Sequence, residues 1–255
     1  MQVAIITGAS SGLGAEYIRQ LQSSKKIDEF WVIARRRDKL EKLKEISRIP
    51  VRVFAMDITL KSSIEALKTT LDAEKPTISY LIVAAGCGKI GRTYDISLED
   101  SDRMIDLNCR AAVDVTTICL PYLTKGSRVM EIASTAGFQP LPALNIYSAS
   151  KAFLISYTKT LHHELLTRGI HVTAVCPYWI TDTEFLSVAR TTKAPFYKHT
   201  IGSSHKKSVV AWSLMDSTLN LWVSTPSPVS LIHRLLCWIV PDFIMVPFME
   251  LLCHI

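Results

Sequence analysis

Short apolar runs recur along the chain at 3–7 (VAIIT), 30–34, 51–55, 80–84 (YLIVA), 128–133 and 170–176 (IHVTAVC). Runs of this length that are apolar at consecutive positions predict strands buried on both faces, as in a parallel sheet. Between them lie stretches of helical character: from the glycine-rich turn after residue 7 to about 24, over 61–73, over 97–124, and on from Lys151 to about 168. Gly169 is placed to cap the last of these at its carboxyl end. A further helix is expected over 208–217 and a seventh strand over 219–224 (LNLWVS). Strands alternating with helices throughout predict an α/β fold whose parallel sheet is covered on both sides.

The first strand runs into TGASSGLG, residues 7–14. Glycines at 8, 12 and 14 permit tight turning and close backbone approach, and the free N–H groups at the start of the following helix attract a pyrophosphate. The spacing is G-x-x-x-G-x-G, which departs from G-x-G-x-x-G, but the strand and helix flanking it are the right context. The second strand ends in ARRRDKL. A carboxylate at the end of that strand binds ribose hydroxyls, whereas an arginine accommodates a 2′-phosphate. Ala34 offers no carboxylate and Arg35 offers a fork of donors, so NADP(H) is favoured over NAD(H), with Arg36 as a second contact. Asp57 closes the third strand where ligands bind in open α/β sheets, and the small residues of AAGCG (84–88) let backbone approach a cofactor.

The stretch with the most chemistry is STAGFQPLPALNIYSASK, residues 134–151. Tyr147 and Lys151 are four apart, which on a helix places the ammonium within reach of the phenol. An unperturbed tyrosine, with a pKa near ~10, is a poor acid–base catalyst at neutral pH, and a neighbouring cation is expected to lower that value. Ser134 ends an apolar strand and delivers a second hydroxyl, so a carbonyl oxygen could sit between the two. By itself Y-x-x-x-K is a weak motif, because Tyr and Lys at helical spacing are common.

Composition narrows the classes. A chain of 255 residues that is 48% hydrophobic, without a Pro/Gly/Ser-rich linker, is read as one domain spanning 1–255 and not as a disordered chain. The formal charge of +6 is spread along the chain apart from Arg35, Arg36 and Arg37, which argues against nucleic acid. Six cysteines without a C-x-x-C pair, and no signal peptide, fit reduced thiols and a cytoplasmic location. No metal-ligand spacing is present; His162 and His163, followed by Glu164, lack the H-E-x-x-H interval and are expected on the solvent face of a helix.

Taken in order, TGASSGLG, Asp57, Ala85-Gly86, Asn108, Ser134 and YSASK resemble the short-chain dehydrogenase/reductase family over roughly 2–225. The resemblance implies a Rossmann-type, doubly wound, seven-stranded parallel sheet and a catalytic tetrad of Asn108, Ser134, Tyr147 and Lys151. It implies cofactor contacts from Gly8, Ser10, Ser11, Gly12, Leu13, Gly14, Arg35, Asp57, Ile58, Ala85, Gly86, Tyr147, Lys151, Pro177, Ile180 and Thr181, with Thr183 as the alternative threonine. In the family Ser134 and Tyr147 hold the substrate oxygen, Tyr147 donates its proton, Lys151 lowers the tyrosine pKa and holds the nicotinamide ribose, and Asn108 orders a water. A homodimer or homotetramer is also implied. Two departures stand out: Val83-Ala84-Ala85-Gly86 where the family has Asn-Asn-Ala-Gly, and Pro177-Tyr178 where it has Pro-Gly, which places Tyr178 and Trp179 on the nicotinamide or substrate side.

The irregular segment 183–207 follows a strand's carboxyl end and reads as a substrate lid. The tail 229–255 is strongly apolar but is broken by Pro241, Asp242, Pro247 and Glu250, so two short helices are expected rather than a membrane span. They could cover a greasy substrate, pack in an oligomer or lie on a membrane surface, in that order of preference. The expected activity is NADP(H)-dependent interconversion of a ketone or aldehyde with an alcohol, on a hydrophobic steroid, bile-acid or 3-oxoacyl substrate. The alternatives are a non-catalytic dinucleotide-binding sensor or scaffold, and a membrane-peripheral lipid reductase.

Overall fold

A computed structural model describes residues 1–190, 197 and 202–253. The strands are β1 (Gln2–Thr7), β2 (Glu29–Ala34), β3 (Val51–Ala55), β4 (Thr77–Val83), β5 (Leu123–Ile132), β6 (His171–Val175) and β7 (Val223–Ser224). They form one sheet in the order β3-β2-β1-β4-β5-β6-β7, with every pair parallel. The chain starts mid-sheet, winds outward to β3, then crosses to β4 and winds the other way. Between β1 and β4 this reversal opens a crevice at the strands' carboxyl ends, the place where ligands bind in such sheets.

The helices are α1 (Gly12–Leu21), α2 (Arg37–Ile46), α3 (Lys61–Glu74), α4 (Leu98–Ile105), α5 (Ala111–Cys119), α6 (Asn145–Leu166), α7 (Phe185–Ala189), α8 (Lys206–Thr218), α9 (Pro228–Ile239) and α10 (Asp242–Leu252). The consecutive apolar residues of the strands divide between two layers by their period of two. Val3, Ile5, Trp31 and Ile33 pack with Leu67 of α3, Val115 of α5 and Leu154 of α6. Ala4, Ile6, Phe30 and Val32 pack with Tyr17 of α1, Leu40 of α2 and Val210 of α8. Each fully buried side chain of this size contributes about 1.5–3 kcal/mol. A third cluster, with Ile90, Met104, Leu141, Leu144, Tyr147 and Tyr197, lies off the sheet.

Three expectations are corrected. The helix over 97–124 is two helices joined by a π-helical turn, Asp106–Arg110, in which Asn108 is buried. The seventh strand is reduced to Val223–Ser224, because residues 219–221 finish α8 instead: the amides of Leu219 and Leu221 bond the carbonyls of Met215 and Asp216, and Asn220 takes a left-handed φ of 56°. His162 does not face solvent; it is buried, and its Nδ1 donates to the Val172 carbonyl at 2.8 Å, whereas His163 is exposed as expected.

The departure at Val83 has a counterpart across the sheet. Val83 is the register partner of Glu131 on β5, whose carboxyl is fully buried and accepts from Thr116 Oγ1 at 2.6 Å. Its other oxygen, Oε2, has no hydrogen-bond partner among the described residues. Burial raises the Glu131 pKa to about 8, against the opposing pull of Thr116 and Lys151, so the folded protein holds this carboxyl protonated at neutral pH. The folded value lies above the unfolded one, near ~4.3. The associated stability is therefore complete below the unfolded value and is lost as pH rises toward and through the folded one. Glu131→Gln is expected to flatten the decline of Tm between about pH 5 and pH 9; equal slopes in both proteins would contradict a protonated Glu131.

Candidate active site

The carboxyl ends of β1, β2, β4, β5 and β6 surround a cavity of about 1150 Å³. Its floor begins at the turn from β1 into α1. Gly8 has φ +65°, and a Cβ there would stand 2.8 Å from the backbone of Ala84 and Ala85; a Cβ on Gly14 would stand 2.5 Å from the Gly8 carbonyl oxygen. Only glycines let this turn press against β4 and let α1 pack on β1, which leaves the N-terminus of α1 bare toward the cavity. Gly8, Ser10, Ser11, Gly12, Leu13 and Gly14 all line it, as do Arg35, Asp57, Ile58, Ala85, Gly86, Pro177 and Ile180.

The two arginines after β2 are used differently. Arg35 stands in the cavity wall with Nη1 4.0 Å from Asp57 Oδ2. Asp57 Oδ1 is occupied in its own turn, accepting from the amide and hydroxyl of Thr59 at 3.0 and 2.8 Å. Arg36 instead donates to Ser10 Oγ at 3.1 Å, Ser11 Oγ at 2.8 Å and Glu184 Oε2 at 2.7 Å, and Lys39 bonds the other oxygen of Glu184 at 2.6 Å. These two cations hold the Glu184 carboxyl at about 2 and tie the glycine-rich turn to the segment after β6.

On the opposite wall β5 runs out two residues before Ser134, whose Oγ accepts from the Ala136 amide at 3.1 Å, and the Thr135 amide bonds the Pro177 carbonyl at 3.1 Å, so the segments that follow β5 and β6 are fastened together. The chain then turns through Ala143, held at φ 58°, and enters α6 with Tyr147 in the first turn and Lys151 in the next. Ser134, Tyr147 and Lys151 line the same cavity. Burial among Phe185 and its neighbours pushes the Tyr147 phenol up to about 12, with the Ser134 hydroxyl pulling the other way. Lys151 Nζ donates to the Ile132 carbonyl at 2.7 Å and lies 5.8 Å from the centre of the Tyr147 ring; burial brings its pKa down to about 8. Burial outweighs the lowering expected from a neighbouring cation, so the phenol stands above its ordinary value. Both groups are withdrawn from water, and desolvation favours the neutral form of each.

Asn108 stands behind this wall. Its Oδ1 accepts from the Cys87 amide at 2.9 Å, while Nδ2 donates to the Cys87 carbonyl at 2.8 Å and to Ser150 Oγ at 3.0 Å. One carboxamide thereby pins the loop after β4 to α6, and the π-helical turn is what aims it inward. Thr181 is exposed and does not line the cavity; Thr183, two positions on, does, and its Cγ2 would stand 3.6 Å from a Cβ placed on Gly12. Tyr178 and Trp179 line the cavity as expected. Motif reading missed Phe185, Leu141, Leu144 and Tyr197, which make the far side apolar. The proline- and leucine-rich string between Ser134 and Tyr147 was the available signal for two of them.

The family model for short chain dehydrogenases matches residues 2–194. The chain belongs to the short-chain dehydrogenase/reductase family. Among its relatives, an uncharacterized oxidoreductase of Staphylococcus epidermidis is 30% identical over 178 residues, covering 69% of this chain and 76% of that protein. The very-long-chain 3-oxoacyl-CoA reductase of Macaca fascicularis is 28% identical over 249 residues, 94% of this chain and 74% of that one. A short-chain dehydrogenase from Sphingobium yanoikuyae, solved in complex with NADPH, superposes with a TM-score of 0.78 at 25% identity, covering 98% of this chain and 96% of the other. As a short-chain dehydrogenase/reductase the protein uses a nicotinamide dinucleotide, and the site fits one. The glycine turn is a cradle that side chains would fill, and the cavity is large enough for a dinucleotide beside a substrate.

Proposed function

We propose that the protein is an NADP(H)-dependent oxidoreductase that interconverts a carbonyl and an alcohol on an apolar substrate, with a 3-oxoacyl thioester favoured over a steroid or bile acid. The observation that carries this reading is the placement of Ser134, Tyr147 and Lys151 in one cavity with the glycine-rich turn at one end and the Leu141, Leu144 and Tyr197 cluster at the other. Similarity to a 3-oxoacyl-CoA reductase along 94% of the chain favours the thioester.

The glycine turn would hold the pyrophosphate, Arg35 the 2′-phosphate, and Asp57 with Ile58 the adenine side. When bound, the nicotinamide supplies or accepts a hydride. Ser134 and Tyr147 orient the substrate oxygen by hydrogen bonds, and Tyr147, protonated because burial raises its pKa, gives its proton to the developing alkoxide. Lys151 exchanges the Ile132 carbonyl for the ribose hydroxyls, and Asn108 acts by bracing the loop after β4. Of the segment 183–207, residues 191–196 and 198–201 lie outside the described residues; Thr183, Phe185, Val188, Ala189 and Tyr197 line the cavity and, together with the tail, close the substrate side and exclude water.

The test is oxidation of NADPH and NADH with a long-chain 3-oxoacyl thioester. NADPH is expected to be preferred, and Arg35→Asp to reverse the preference by roughly 10–100-fold, since a charge-assisted contact of about 1.5–3 kcal/mol is replaced by repulsion. No oxidation of either cofactor would contradict the function, and an unchanged ratio would remove Arg35 from the 2′-phosphate site.

A further inference from the structure

The two carboxyl-terminal helices have opposite faces with different tasks. Inward, the Ser230 hydroxyl accepts from the Tyr178 amide at 3.2 Å, Met245 and Cys253 are buried, and His233, Met249 and Leu252 reach the cavity wall. Outward, Trp238 is 86% exposed, Phe243 77%, Ile239 and Leu251 69%, with Ile232 and Phe248 above half. From Pro228 to Leu252 the formally charged residues are Arg234, Asp242 and Glu250, and Glu250 is bonded to Arg92. Large apolar side chains exposed in this number on two successive helices mark an interaction face.

Its chemistry selects the occupant. Interfaces between proteins carry about one hydrogen bond per 100–200 Å² to set orientation, and the exposed side chains named here are all hydrocarbon or indole. Fluid hydrocarbon needs no such register. Among the described residues no helix is long and apolar enough to cross a membrane, so these helices would lie along it and not through it. Trp238 and Phe243 flank the turn between the helices, and aromatic side chains settle at the headgroup boundary. The two helices themselves carry Arg234 and an exposed Asp242, so the attraction to an anionic headgroup layer comes from the chain's net charge of +6 as a whole.

We propose that α9 and α10 seat the protein on an anionic lipid surface, with Trp238 and Phe243 inserted at the headgroup–acyl boundary and the inner faces of the same helices closing the substrate cavity. Binding of this kind needs no turnover, so its test is independent of the catalytic reading.

The full chain is sedimented with vesicles of phosphatidylcholine alone and of phosphatidylcholine with roughly one-third phosphatidylserine. It is expected to pellet with the anionic vesicles and less with the neutral ones, and Trp238→Glu/Phe243→Glu to lower the partition coefficient at least about 100-fold. NADPH binding reports that the double variant is folded, and light scattering without lipid is expected to give both proteins the same mass. Should the variant not fold, bromolipid quenching of tryptophan emission decides: quenching in the wild type that Trp238→Phe removes supports the proposal, and none overturns it. A wild type left in the supernatant overturns it too. So does a double variant that falls to a smaller assembly without lipid, which would assign the face to contact between copies.

Discussion

Tyr147→Phe is expected to lower kcat by about 10²–10⁴-fold, the range that a positioned proton donor supplies, while NADPH binds as in the wild type. The substitution removes one hydroxyl and keeps the ring that packs 5.5 Å from Phe185, so neither the apolar cluster nor the glycine-rich turn is disturbed. What is lost is a hydroxyl that faces Ser134 and carries its proton at neutral pH, since burial holds the phenol at about 12. Stopped-flow turnover beside equilibrium NADPH titration separates the two effects. A variant with wild-type kcat would remove Tyr147 from the proton transfer, and one that also lost cofactor affinity tenfold would make the residue structural.

Gly14→Ala is expected to act through packing. Its Cβ would sit 2.5 Å from the Gly8 carbonyl oxygen, with the Gly8 carbon and the Ala9 Cα at 2.8 and 3.0 Å, and all of these are backbone atoms. The helix must therefore move away from the turn, because no flexible side chain is there to yield. Overpacking of this kind costs about 1–3 kcal/mol, or roughly 2–10 °C in Tm for a chain of this size. The displaced α1 N-terminus is expected to weaken NADPH binding at least about tenfold. Calorimetry and titration check both, and an unchanged Tm with unchanged affinity would show that the turn is not packed as described.

Most of the sheet was legible because its strands are consecutive apolar runs that end in glycine, proline or a polar residue: β1, β2, β3 and β6 fall within a residue or two of the expected limits. Ser134, Tyr147 and Lys151 were legible because a strand end and a helical interval place them together. What escaped depended on packing that no periodicity records. The π-helical turn inserts its extra residue without changing the apolar pattern, yet it is what buries Asn108. Asn220 spends the start of LNLWVS on ending α8. The Lys151 ammonium turns to the Ile132 carbonyl, a backbone partner that a motif cannot name. Thr181 and Thr183 are equivalent in sequence, and only the fold, which turns Thr183 into the cavity wall and leaves Thr181 exposed, separates them. The tail's apolar character was plain in the sequence, but which of its side chains face the cavity and which face outward follows from the pairing of Ser230 with Tyr178 and of Glu250 with Arg92.

A hydride is expected to pass between the nicotinamide and a carbonyl carbon held at Ser134 and Tyr147. The most direct measurement is a single turnover of the purified protein with NADPH deuterated at the transferable nicotinamide position and a long-chain 3-oxoacyl thioester, with mass analysis of the product. One deuterium is expected on the new carbinol carbon, at a rate that Tyr147→Phe suppresses. A labelled product formed equally fast by that variant, or a substrate recovered unchanged while NADPH stays tightly bound, would contradict it.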